Sequence, residues 1–469
     1  RAGHRSVDLS QTFDAIVIGA GQAGPALAER LGKAGRRVAV IERKLVGGTC
    51  VNTGCMPTKA LVASARAAHV ARRAADWGVT VPGPVSVDMA AVQARSHQVT
   101  LNARAGLESW LDGMKTVSLI RSHARFVGPR KAGLWEIAVD GERLTAPQVF
   151  LNVGGRAVTP DLPGVHDVET LDNTTILQLT ELPRHLVVVG GSYIGLEFAQ
   201  MFRRFGAQVT IVEKGPRLVG REDPEVSDAI REIVEGEGIA VRLAAECIRF
   251  RQAADGVAVG VDCHEGEPEV VGSHVLLAMG RRPNTDDLGL EAAGIAVDGR
   301  GYVTVDDHLA ASAEGVWALG DCNGRGAFTH TSWNDYEIVA ANLLDGADRR
   351  VTDRVETYAL YIDPPLGRCG LTEAAARAAG HKVRVGRRPM SRVGRAVERG
   401  ETQGFMKVVV DADTDAILGA AILGVEGDEA IHVLLDAMAA GTTAAAVART
   451  MHIHPTVSEL IPTVLGELA

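Results

Sequence analysis

The 469-residue sequence is poor in aromatic residues, 4% of the total, and has only 6 cysteines. It has no apolar run approaching the roughly 20 residues that span a bilayer, so no membrane partner is expected. Residues 1–12 are polar and lack the apolar core of a secretory signal, so a cytoplasmic setting is expected. Basic charge is not in excess either. The formal net charge is −9 and the arginines are scattered, which argues against nucleic acid as a partner. Sparse cysteine usage suits a reducing compartment, where a close pair reads as catalytic rather than structural.

What the chain does have is glycine. Its 53 glycines and 46% hydrophobic content, with few aromatics, suit an α/β protein full of strand-to-helix turns. The length exceeds what one hydrophobic core serves, so about two to four domains are expected, with room to bury a large cofactor.

The turns fall into a pattern. The apolar run 14–19 ends in Gly19-Ala20-Gly21-Gln22-Ala23-Gly24, a helical stretch follows to Ala34, and the strand Val38 to Ile41 closes on Glu42. This is the order of a dinucleotide fold. Gly19 allows the turn, Gly21 admits a pyrophosphate, Gly24 lets helix and strand approach, and Glu42 accepts from ribose hydroxyls. The same unit recurs as strand 186–189, Gly190-Gly191-Ser192-Tyr193-Ile194-Gly195, a helix to Gly206, and strand 209–212 closing on Glu213. Glu213 stands at the same distance from Gly190 as Glu42 does from Gly19. Two copies imply two nucleotide cofactors. Ser192 replaces the middle glycine of the second copy, so a side chain must be accommodated beside that pyrophosphate.

Between and after the copies, residues 86–111 read as a helix and 115–150 as short strands. Residues 149–153 read as a strand ending in Gly154, and 275–279 as a strand running into Gly280-Arg281-Arg282-Pro283-Asn284. Strand 316–319 meets Gly320-Asp321 ahead of a helix over 332–344, which places an acid where it can hold a cofactor's sugar chain. From about Thr352 the glycine turns thin out. Strands 405–410 and 416–423, with helices 429–438 and 444–451, read as an α+β interface module.

Gly47-Gly48-Thr49-Cys50-Val51-Asn52-Thr53-Gly54-Cys55-Met56-Pro57-Thr58-Lys59 holds two cysteines separated by four residues, ahead of a helix over 60–75. A disulfide between them needs Cys50 in a non-helical entry, and a thiolate at a helix N-terminus is stabilised by unpaired N–H groups. Two unconnected thiols, or half of a metal site, are the alternatives. Zinc sites take a second Cys or His pair nearby and none follows, so no resident metal is expected. Cys247, Cys263, Cys322 and Cys369 read as small apolar residues. Near the C-terminus, His454 and Glu459 flank a proline turn in a way that could orient an imidazole.

Taken together, the twin glycine units, the Cys-x4-Cys loop and the His-Pro segment resemble the class I pyridine nucleotide-disulfide oxidoreductases, from Asp14 to the C-terminus. That family of FAD enzymes includes lipoamide dehydrogenase, glutathione reductase and mercuric reductase. Gly-Gly-Thr-Cys-Val-Asn-Thr-Gly-Cys and Phe328-Thr329-His330-Thr331-Ser332 look closest to its mercuric-reductase-like and reactive-chlorine-resistance members. The resemblance implies an FAD-binding domain in two parts, 13–155 and 281–347, an NAD(P)-binding domain over 156–280, and a dimerisation domain over 348–469. Glu42 would hold the adenosine ribose of FAD, Ala124 would lie by the adenine, Thr49 would line the pyrophosphate and Asp321 would bind the ribityl chain. Thr329 and His330 would present backbone to the flavin ring, with Gly154 and Gly280 at the cofactor turns. Lys59 matches the lysine near flavin N5, Glu197 its ion-pair partner, and Tyr193 the aromatic that shields the flavin until nicotinamide enters. Cys55 would be the flavin-proximal thiol and Cys50 the one that exchanges with substrate. His454 with Glu459 matches the acid/base pair that serves the opposite subunit, which implies a homodimer.

The implied activity is electron transfer from nicotinamide through FAD to a Cys50–Cys55 disulfide and on to a disulfide substrate. Glu213 would accept a ribose 2′-hydroxyl and repel a 2′-phosphate, favouring NADH, while Lys214 and Arg217 leave NADPH open. A soft-metal reductase for Hg(II) or Cu(II), using the same dithiol, is the alternative enzyme. Against it, the established mercuric reductases carry a C-terminal vicinal cysteine pair, and here the last cysteine is Cys369. A non-catalytic flavin-binding redox sensor is the third reading.

Overall fold

The computed structural model describes residues 12–261 and 268–469; the polar segment up to Gln11 and Cys263 lie outside the described residues. The chain forms two compact units. One comprises the chain up to Thr58 with Ala94–Val158 and Gly280–Arg354, the other Lys59–Gln93, Thr159–Met279 and Val355–Ala469.

In the first unit, four-residue strands with every residue buried, Ala15–Ile18 and Val38–Ile41, pair in parallel. Strands apolar on both faces belong inside a sheet covered on both sides, which is where parallel pairing occurs. The sheet order is Val316–Ala318, Gln148–Leu151, Ala15–Ile18, Val38–Ile41, Val117–Ile120, all parallel. Chain order therefore reverses beside Ala15–Ile18, the kind of crevice in which open α/β sheets bind ligands. A small antiparallel sheet, Ala124–Phe126 with Trp135–Val139 and Glu142–Ala146, is pinned by the edge-to-face pair Phe126 and Trp135.

The second unit repeats the parallel plan, in the order Ala240–Arg242, Gln208–Val212, His185–Val189, His274–Leu277. An antiparallel three-stranded sheet, Arg249–Ala253, Gly256–Gly260 and Glu269–Gly272, accompanies it. The C-terminal block is a five-stranded antiparallel sheet with strands Thr357–Leu360, Leu366–Gly370, Ile417–Leu423, Phe405–Asp411 and Val383–Pro389 in spatial order. Ile431 and Leu434 of the helix Gly427–Ala439 pack in its core. No helix among the described residues is long and apolar enough to cross a membrane.

Three local expectations are corrected. Cys50 is not in a non-helical entry but inside a helical turn, Gly48–Asn52. Thr53, at φ −143°, breaks that turn before a new helix, Cys55–Arg72. The helix expected from Ser332 starts at Thr329, so Thr329 and His330 form its first turn. The helix expected over 444–451 stops at Ala448.

Candidate functional site

The first glycine turn is built around one residue that the sequence pattern does not single out. Asn152, buried at the end of a central strand, accepts the Gly24 N–H at 3.0 Å through Oδ1 and donates through Nδ2 to the Leu319 carbonyl at 3.0 Å. It thus joins the turn to the strand that leads into Asp321. A Cβ on Gly19 would lie 2.2 Å from the Asn152 carbonyl oxygen, and one on Gly21 would lie 2.9 Å from Asn152 Oδ1. A Cβ on Gly24 would lie 2.3 Å from the Gly19 carbonyl oxygen, so all three glycines are sterically required. Glu42 accepts the N–H of Ala20 at 2.9 Å and of Lys44 at 2.8 Å, which fixes its carboxylate at the sheet's edge.

The cysteine segment folds against that turn. The Gly47 N–H donates to the Ala20 carbonyl at 2.8 Å, and a Cβ on Gly48 would lie 3.0 Å from the Gly21 Cα. Asn52 steadies the helical turn by donating to the Val46 and Gly48 carbonyls and accepting from Arg104 Nε at 2.8 Å. Cys50 is half-buried and Cys55 exposed, and both are thiols. Cys55 Sγ lies 3.3 Å from Thr329 Oγ1, so the second cysteine meets the N-terminus of the helix Thr329–Leu344. His330 is stacked on Phe328 in the same turn.

Asp321 and Arg281 close the cradle. Burial pushes the Asp321 carboxyl above the usual carboxylate range, and the Arg281 guanidinium works against that. Arg281 donates to the Gly155 carbonyl at 2.7 Å and reaches Thr49 Oγ1 at 3.5 Å. Gly154, at φ +64°, and Gly280, at φ +125°, supply the neighbouring turns. Beneath Gly320, buried Asp335 accepts its N–H at 2.8 Å, Asn323 Nδ2 at 2.9 Å and Arg354 Nη1 at 2.7 Å. Ala124 is buried on the small antiparallel sheet.

This cradle fits FAD on its own chemistry. Glycines that admit no side chain leave room for a backbone-bound pyrophosphate, Arg281 offers it a cation beside Thr49, Glu42 faces a ribose, and a helix N-terminus is turned to the thiol. Asn152, Arg281 and Asp335 are residues that motif reading missed. Arg281 alone carried a signal, its place directly after Gly280 at a strand end.

The second unit holds the other predicted residues. Gly190 is at φ +119°, and a Cβ there would lie 2.3 Å from the Ala278 carbonyl oxygen. A Cβ on Gly195 would lie 2.0 Å from the Gly190 carbonyl oxygen. Glu213 accepts the N–H groups of Gly191 and Gly215, both at 2.6 Å. Ser192 is exposed, with extended backbone, at the entry of the helix Tyr193–Phe205. Lys59 Nζ and Glu197 Oε2 lie 2.5 Å apart, Glu197 also accepts the Tyr361 N–H at 3.0 Å, and Lys59 sits over the Tyr361 ring. Tyr193 is held by Arg221, which donates from Nε to its phenol oxygen at 2.9 Å. His454 is exposed, and its Nδ1 lies 2.9 Å from Glu459 Oε2, so the predicted pair forms and leaves Nε2 outward. Burial pushes the thiols of Cys322 and Cys369 up to about 12, which keeps them protonated and unreactive.

Comparison with known proteins bears on all of this. The family profile described as pyridine nucleotide-disulphide oxidoreductase matches residues 13–335, and its dimerisation domain matches residues 357–465. The chain is 35% identical to the probable pyridine nucleotide-disulfide oxidoreductase RclA of Escherichia coli, over 95% of this chain and 97% of that one. It is 36% identical to a dihydrolipoyl dehydrogenase of Thermus scotoductus over 96% of each chain, and 33% identical to a mercuric reductase of Streptomyces lividans over 96% and 94%. Among solved structures, the Cu(II) complex of the HOCl-induced flavoprotein disulfide reductase RclA from Escherichia coli superposes with a TM-score of 0.87 at 33% identity, covering 97% of this chain and 99% of that one.

Proposed function

The chain belongs to the pyridine nucleotide-disulphide oxidoreductases, and from that premise we propose that it is an FAD enzyme that uses NADH to reduce a disulfide through Cys50 and Cys55. The observation that carries this reading is the 3.3 Å contact between Cys55 Sγ and Thr329 Oγ1, which sets the thiol pair at the edge of the cradle. Gly19, Gly21, Gly24, Glu42, Thr49, Ala124, Asp321 and Arg281 would hold FAD, with Thr329 and His330 at the ring. When bound, FAD supplies hydride acceptance from nicotinamide and delivery of the electron pair to the cysteines.

The remaining steps belong to the chain's own residues. Glu459 fixes the tautomer of His454 by accepting from Nδ1, and Nε2 takes the proton of the Cys50 thiol. The Cys50 thiolate attacks one sulfur of the substrate, a mixed disulfide forms, and the departing thiolate takes the proton from His454. Cys55 then attacks Cys50 Sγ and the second substrate thiol leaves. The dithiol loses two electrons and the substrate gains two. His454 would act across the boundary of a homodimer, on the dithiol of the other subunit, as the dimerisation domain supports. The fixed carboxylate of Glu213 supports NADH over NADPH, because a 2′-phosphate would meet like charge.

A second reading has its own support. The RclA structure is a Cu(II) complex, the Streptomyces lividans relative is a mercuric reductase, and thiolates are soft-metal ligands. On that reading the same dithiol takes a metal ion as substrate. Steady-state oxidation of NADH and of NADPH against a panel of disulfides and of Hg(II) and Cu(II) salts separates the two. Turnover with disulfides supports the first reading, turnover with metal ions alone replaces it with the second, and turnover with neither leaves a flavin-binding sensor.

A further inference from the structure

The second unit carries an ion network for which the reaction above has no use. Arg66 lies about two turns beyond Lys59 on the helix Cys55–Arg72, and Arg204 lies about two turns beyond Glu197 on the helix Tyr193–Phe205. Each arginine therefore shares a face with the charged residue before it, and the Lys59–Glu197 pair is followed by a second ionic layer. There Asp363 stands between the two arginines. Arg66 Nη1 donates to both of its carboxylate oxygens at 2.8 Å, and Arg204 Nη1 donates to Oδ2 at 2.6 Å. Glu237 completes Arg204, accepting from Nε at 2.8 Å and from Nη2 at 2.7 Å, and Glu401 accepts from Arg66 Nη2 at 2.6 Å.

Only 5% of the Arg204 side chain is exposed. Burial raises the Asp363 carboxyl, but Arg204 and Arg66 outweigh it and hold the group below the usual carboxylate range. Such a network adds little net stability, because desolvating the charges offsets their attraction, so its value lies in geometry.

Segment 361–363 carries that geometry back to the first pair. Gln200 holds both backbone groups of Asp363, its Oε1 accepting the N–H at 2.7 Å and its Nε2 donating to the carbonyl at 2.9 Å. Two residues earlier, Tyr361 donates its N–H to Glu197 Oε1 at 3.0 Å, and its ring centre lies 4.7 Å from Lys59 Nζ. Ile362, between them, is buried. Tyr361 thus touches both members of the Lys59–Glu197 pair, and Asp363 fixes where Tyr361 stands.

We propose that Asp363 is a positioning residue: held between Arg66 and Arg204, it fixes Tyr361 and so keeps the Lys59 ammonium in one place. This rests on the reading above, in which Lys59 is the lysine near flavin N5, and adds a device that sets how readily the flavin is reduced. A fixed cation favours the more negative, reduced form of the ring, whereas one free to swing into solvent favours it less.

The test is the two-electron midpoint potential of the bound flavin, which does not depend on turnover, measured in a Cys50→Ser background so that no disulfide competes for electrons. Adding Asp363→Asn is expected to lower the potential by about 30 mV, a tenfold change in the reduction equilibrium of a two-electron couple. Arg66→Gln, on the half-exposed arm of the network, should lower it by less, and it carries the test where Asp363→Asn does not fold. With Lys59→Met also present, Asp363→Asn should leave the potential unchanged, since no cation remains to be positioned. Unchanged potentials in Asp363→Asn and Arg66→Gln, or shifts of equal size with and without Lys59, would overturn the proposal and leave the network a purely structural one. A parent protein that turns over no disulfide, with the expected shifts in potential, would overturn the disulfide reading and still support the positioning role. A parent that takes up no flavin would overturn both.

Discussion

Glu213 stands to Gly191 as Glu42 stands to Ala20: in each copy of the nucleotide unit, the acid closing the second strand accepts the N–H that follows the first glycine, at 2.6 Å and 2.9 Å. Each acid takes a second N–H two residues further along, from Gly215 and from Lys44. The repeat in sequence is thus a repeat in hydrogen bonding. A carboxylate held this way cannot swing aside, so it discriminates by charge as well as by hydrogen bonding. Glu213→Ala is expected to narrow the preference for NADH over NADPH by about tenfold or more. It should also lower stability by about 1–3 kcal/mol, since two N–H groups lose a charged acceptor. Paired kcat/KM values for the two nucleotides decide it; an unchanged ratio would remove Glu213 from nucleotide choice.

Asn152 makes a different kind of demand, because it both donates and accepts in a buried place. Asn152→Ala should destabilise the protein by about 2–4 kcal/mol through the orphaned Gly24 N–H and Leu319 carbonyl. Asn152→Asp keeps the acceptor for Gly24 but loses the donor to Leu319, and should fall between the parent and the alanine variant. Denaturant unfolding with flavin retention as a second readout tests this, and an alanine variant of parental stability would contradict it.

Cys50→Ser is expected to leave flavin bound and to reduce disulfide turnover roughly a thousandfold or more, as loss of a nucleophile does. The cradle residues do not include Cys50, so the flavin absorbance of the purified variant should match the parent's. Disulfide turnover that survives the substitution would rule out a dithiol route.

For His454→Ala the informative quantity is a difference between two activities. Disulfide reduction needs a proton for the leaving thiol and should fall about 10²–10⁴-fold, whereas direct oxidation of the reduced flavin by O2 needs none and should change little. Glu459→Gln, which leaves the imidazole in place without its carboxylate, should produce a smaller loss of the same kind. Equal losses in both activities would show that His454 does not act on the thiol chemistry.

The sequence by itself determined the periodic features. Wholly apolar runs such as Ala15–Ile18, glycines at fixed offsets and an acid at each second strand's end specify two parallel-sheet nucleotide units, because each is a local consequence of backbone sterics and strand burial. The pair Lys59 with Glu197 was also legible through resemblance, and His454 with Glu459 through its placement around a proline as well as resemblance, and the structure brings each pair together. Tertiary structure alone decided which side chains brace those motifs. Asn152, Asp335 and Arg221 sit in no recognisable pattern, and Arg281 shows only its place after Gly280, since their partners Gly24, Gly320, Tyr193 and Gly155 lie elsewhere along the chain and only the fold makes them neighbours. The seat of the cysteine segment belongs here too, since only the fold brings Gly47 to Ala20 and Gly48 to Gly21 of the first glycine loop.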